Sequence, residues 1–105
     1  MSHVRLDAMN VEISNTLILD NDIHVHFEYE KLSKQKIKIF LDTYVGKNEE
    51  LYRFLLRVIY DITLNKDFSN DKEMIEEVIH IITKPLMNLI MMIDDIISCE
   101  EERLS

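Results

Sequence analysis

His24-Val25-His26 places two imidazoles on one face of an extended segment, about 7 Å apart by the rise of two strand residues. With Asp22 or Glu28 as a third ligand, His24 and His26 have the donor chemistry of a divalent-metal centre, and so of a metal-dependent enzyme. No spacing marks that third ligand, however. A strand face turned to solvent or to a partner accounts for the pair without any metal. Cys99 is the only cysteine, and it is followed by Glu100, Glu101 and Glu102. Their charge disfavours the thiolate that a nucleophile needs. Arg53 and Arg57, one helical turn apart, outline a small anion site, but Glu49, Glu50 and Asp61 stand three or four residues away as ordinary helical partners. His3 and His80 have no suggestive neighbours in sequence.

The single glycine, Gly46, excludes the glycine-rich loops that cradle phosphates. Gly-x-Ser-x-Gly, His-Glu-x-x-His and zinc-type cysteine spacings are missing too. The expectation is a non-enzyme, with no catalytic residue, no metal and no cofactor.

What remains is the chemistry of surfaces. From residue 70 to 98, Ile75, Ile79, Ile82, Leu86, Leu89, Ile93 and Ile96 recur four and three apart without a miss. That spacing is the seam of an amphipathic helix. Outside the seam, Met74, Ile81, Pro85 and Met92 make a second stripe about 100° away, and Met87 and Met91 fall on the opposite flank. Methionine adapts to surfaces of varied shape. Met74, Ile81, Met87, Met91 and Met92 are therefore candidate interface residues, with Glu100, Glu101 and Glu102 as an electrostatic fringe.

The elements that would hold these surfaces form an α+β domain spanning 1–105. Residues 4–30 predict an antiparallel β-meander of about three strands. Ile23, Val25, Phe27 and Tyr29 alternate with His24, His26, Glu28 and Glu30, and Thr16 to Leu19 is its expected hairpin partner across Asp20-Asn21-Asp22. Val4, Leu6 and Ala8 are out of phase with Met9, Val11 and Ile13, which places a bulge or change of partner near Ala8. Residues 33–98 predict three helices. Ser33 caps the first, which carries Ile37, Phe40, Leu41, Tyr44 and Val45 and ends at Gly46. Asn48 caps the second, with Leu51, Leu55, Val58, Ile59 and Ile62 on its inner face. Asn70-Asp71-Lys72-Glu73 opens the third as a capping box, and Pro85 kinks that helix without dividing it. The acidic stretch 99–105 is expected to fray, since negative charge at a helix C-terminus is unfavourable.

A net charge of −8 disfavours binding to a nucleic-acid backbone, which calls for clustered cations. Lys31, Lys34, Lys36 and Lys38 are the one basic cluster, and they complement the acidic tail within or between chains. No apolar run spans a bilayer, no secretory signal opens the chain, and the lone cysteine suits a reducing cytoplasm. The Ile-, Asn-, Asp-, Glu- and Lys-rich composition fits an AT-rich genome, and with the small size it is in the style of phage or mobile-element accessory proteins. The leading expectation is a small acidic regulator or inhibitor that occupies a surface of a larger protein and forms a homodimer through its long helix. The alternative is an acidic nucleic-acid mimic that blocks a DNA- or RNA-binding protein.

Overall fold

Two alternations of apolar residues set the centre of the fold. Ile37, Ile39, Leu41, Thr43 and Val45 repeat every second residue, as do Phe54, Leu56, Val58, Tyr60, Ile62 and Leu64. All eleven are buried. They form the two central strands of one antiparallel sheet in the computed structural model, which describes residues 2–104 and the side chains of residues 2–99. The elements are β1 (His3–Ile13), β2 (Asp22–Lys31), β3 (Lys36–Gly46), β4 (Tyr52–Thr63) and α1 (Asp71–Leu104). The sheet order is β1-β4-β3-β2.

This corrects the expected plan of about three strands followed by three helices. The segments 36–46 and 52–63 are strands, and one helix follows them. The helical reading selected Ile37, Phe40, Leu41, Tyr44 and Val45, and then Leu51, Leu55, Val58, Ile59 and Ile62. Those sets exist because both faces of the central strands carry large side chains: Phe40 and Tyr44 lie opposite Leu41 and Val45, and Leu55 and Ile59 lie opposite Leu56 and Val58. A strand apolar on both sides satisfies a 3.6-residue period by accident. Its β-branched Ile, Val and Thr residues are the signal that points to a strand.

The capping chemistry was legible, but its destination was not. Ser33 Oγ accepts hydrogen bonds from the Gln35 and Lys36 amides, and Asn48 Oδ1 from those of Glu50 and Leu51. Both close β-hairpins instead of opening helices. Asn70 Oδ1 accepts from the Glu73 amide at 2.8 Å and does open α1 as expected. Gly46 is not a helix C-cap but the end of β3, where the register shifts against β4. A Cβ there would stand 2.5 Å from the Tyr52 Cα, so no other residue fits without opening the hairpin.

β1 bulges between Leu6 and Ala8, at the point where the two alternations fall out of phase. β2 runs through the predicted 23–30 alternation. Between them, Thr16 to Leu19 is not a strand. Residues 14–21 cross from one edge of the sheet to the other, which makes the topology a Greek key and not a meander. The Ser14 amide on the Arg53 carbonyl and the Arg53 guanidinium on Asn21 tie down the two ends of this crossing.

The chain divides into two compact units, Met1–Phe68 and Ser69–Ser105. In the second, α1 is continuous through Pro85 and runs to Leu104. Its covered side chains are Met74, Val78, Ile82, Leu86, Ile90, Ile93 and Ile97. That row steps mostly by four and so winds about 40° around the helix at each step. It crosses the predicted seam at Ile82, Leu86 and Ile93, and leaves Ile79 and Ile96 exposed.

Candidate protein-binding surfaces

The register sorts the whole sheet into two faces. One carries Val4, Leu6, Met9, Val11 and Ile13 from β1 and Ile23, Val25, Phe27 and Tyr29 from β2, flanking the buried rows of β3 and β4. Lys31, at the last pair of β2, is the only charged residue on it. The central strands are covered and the edge strands are not: Leu6, Met9, Ile13, Ile23, Val25 and Tyr29 are each at least two-fifths exposed. Leu17 and Leu19, in the crossing segment, are about four-fifths exposed (79% and 82%).

The opposite face carries the charged side chains, in rows that alternate with the large side chains of Phe40, Tyr44, Leu55 and Ile59. Arg5, Asp61, Lys38 and Glu30 lie side by side across the four strands and alternate in sign. Arg5 donates to Asp61 at 2.6 Å, and this hydrogen bond and charge hold its guanidinium pKa above the ordinary value, with Asp7 adding to the effect. Lys38 reaches Asp7 and Asp61 at 3.7 and 3.8 Å. Thus Lys38 finds its acids within the sheet. Two levels further along, Arg57 reaches Asp42 at 3.5 Å and Glu12 at 3.9 Å. The pairings expected along a helix, to Glu49, Glu50 or Asp61, give way to pairings across strands. Arg53 and Arg57 do not form a joint anion site, since they are directed to Asn21 and to Asp42 and Glu12 respectively.

His24 and His26 do lie together on this polar face. The sheet brings the β3–β4 hairpin to them in place of Asp22 or Glu28. His24 Nε2 donates to the Lys47 carbonyl at 3.0 Å, and His26 Nε2 meets the Glu49 carboxylate. Tyr44 packs edge-on against His26, and Tyr52 against Tyr44. A shallow depression of about 260 Å³ lies beside His26, Asp42, Tyr44 and Glu49. Each Nε2 is occupied by an acceptor of the chain itself. Among the described residues no cluster of three or more His, Cys, Asp or Glu side chains is arranged to hold a metal ion.

The helical candidates separate by exposure. Met74 is 1% exposed and offers no surface; it belongs to the covered row. Ile81 is half-buried. Met87, Met91 and Met92 are exposed, Met91 most of all at 61%. Met87 and Met91 flank the covered row on one side, and Met92 with Ile96 on the other. The side chains of Glu100, Glu101 and Glu102 lie outside those described. The residues that sequence reasoning missed are Leu6, Met9, Ile13, Ile23, Val25, Tyr29 and Ile96. Their alternation or helical spacing was visible, but their exposure depends on which strands are edges and which helical row is covered.

No protein-family model, curated protein or solved structure matches this chain. Among the described residues, no helix is long and apolar enough to cross a membrane.

Proposed function

We propose that this chain is a non-enzymatic binding module that acts by occupying a surface of a larger protein, as a regulator or inhibitor. The observation that carries this reading is the ordering of its exposed apolar side chains. They lie in rows, along the edge strands on one face of the sheet and along both flanks of α1, and are not scattered singly. Rows of this kind mark interaction sites. The polar face favours this reading over nucleic-acid mimicry, because its acids alternate with Arg5, Lys38 and Arg57 and present no acidic strip. A cytoplasmic location fits the free, exposed Cys99.

The test is affinity capture from host lysate with the intact protein and with a Met91→Glu/Met92→Glu variant, washed at low and at high salt. A partner held by the intact protein at high salt and lost by the folded variant is the expected result. A partner released by salt and indifferent to the two methionines overturns the reading, since screening weakens charge-driven contacts and leaves apolar ones.

A further inference from the structure

The two edges of the sheet are built differently. β1 is interrupted by the bulge at Asp7, a device that spoils an edge for pairing. β2 pairs with β3 from Asp22 to Lys31 without any register shift, and it contains no proline. Its outer side is an unbroken template. The Leu32 amide donates to the Lys36 carbonyl at 2.9 Å, one step beyond the last pair of the ladder. Bonded pairs alternate along an antiparallel ladder. Even-numbered residues of β2 therefore bond to β3, while Ile23, Val25, Phe27 and Tyr29 direct their amides and carbonyls away from it.

β2 also complements itself. Laid antiparallel on a copy with Phe27 opposite Phe27, it sets Val25 opposite Tyr29 on the apolar face. On the polar face, His26 then stands opposite Glu28, and His24 opposite Glu30. A shift by one residue would oppose apolar to polar side chains. Of the two neighbouring registers of correct parity, one sets Asp22 against Glu30 and the other Glu28 against Glu28, like-charge pairs that are unfavourable across strands. Charge and parity thus select one register. In it, the half-exposed row of Ile23, Val25 and Tyr29 continues into the same row of the copy.

We infer that β2 is a homodimer edge, on which a second copy of this chain adds antiparallel around Phe27 to make one eight-stranded sheet. This goes beyond the proposed binding function and does not depend on it.

The decisive variant is Val25→Pro. The Val25 amide is directed outward, so proline removes bonds to the copy while breaking none to β3, and edge strands tolerate proline in such positions. Sedimentation velocity at micromolar concentration is expected to give twice the mass of one chain for the intact protein and a single chain for Val25→Pro, with unchanged circular dichroism. A monomeric intact protein, or a folded Val25→Pro that stays dimeric, overturns the inference. A second pair of variants covers misfolding of the first. Glu28→Lys/Glu30→Lys and His24→Glu/His26→Glu are each expected to be monomeric alone and to form a mixed dimer when combined; failure to combine counts against the pairing. Met91→Glu/Met92→Glu is expected to remain dimeric, which separates this edge from association through α1.

Discussion

Tyr60 is 3% exposed, and its hydroxyl has no hydrogen-bond partner among the described residues; the same holds for the Thr43 hydroxyl at 0%. Both sit on the apolar face of the central strands. A buried hydroxyl without a partner costs about 1–3 kcal/mol, so its removal is favourable where a bonded one would be missed. Tyr60→Phe is expected to keep or raise stability in urea unfolding, by up to about 2 kcal/mol. Burial also pushes the Tyr60 phenol above its ordinary pKa of 10.0. The folded state therefore holds this proton more tightly than the unfolded one. Its contribution is full below pH 10 and is lost as pH rises from there through the folded-state value. Stability should fall across that alkaline window, and Tyr60→Phe should fall less steeply. Neither hydroxyl was legible as unpaired from the residues alone, since Tyr60 and Thr43 simply occupy apolar positions of an alternation.

At the scale of elements, α1 carries its own flaw. Pro85 supplies no amide for the Ile81 carbonyl, and two residues earlier Thr83 Oγ1 donates to the Ile79 carbonyl at 2.6 Å, a type of bond that weakens a helix locally. Interior proline costs a helix about 3 kcal/mol against alanine. Pro85 is half-buried, so alanine also gives up some packing. Pro85→Ala should raise the unfolding midpoint, with a net gain of about 1–2 kcal/mol; a lower midpoint in a thermal melt would mean that the packing of Pro85 outweighs its cost to the helix. Helix continuity through Pro85 was legible because the apolar ladder kept its phase. The exposed side of α1 was less so. The 4-3 ladder marks the most regular apolar line, whereas the covered line steps by four, and the two part company at Ile79 and Ile96.

For the whole molecule, the Greek-key order ties the ends of the first unit together. β1 is bonded to β4, with Arg5 and Asp61 in contact 56 positions apart. Pairing at that separation must close a long loop before any contact rewards it, and sheets of this kind fold in about milliseconds to seconds. Stopped-flow refolding should fall in that range. Met9→Ala on β1 should speed unfolding more than it slows folding if the distant β1–β4 pairing forms late. The choice of edges follows from the same topology: because β1 crosses to the far side, β2 is left without a neighbour on its outer side. His24 and His26 were visible in the sequence as a pair, but their tie to Lys47 and Glu49 comes from a hairpin more than twenty positions away.

By itself the sequence determined what depends on neighbours a few residues apart. The parity of β2, the bulge near Ala8, the turn chemistry of Ser33 and Asn48, the cap at Asn70 and the apolar ladder of α1 are all set within one turn or one pleat. Tertiary structure decided what depends on distant segments. It made strands of 36–46 and 52–63, whose side chains satisfy both periods, because cross-strand partners bond their backbones. It also chose which apolar rows stay exposed, because the same alternation is core on a central strand and surface on an edge.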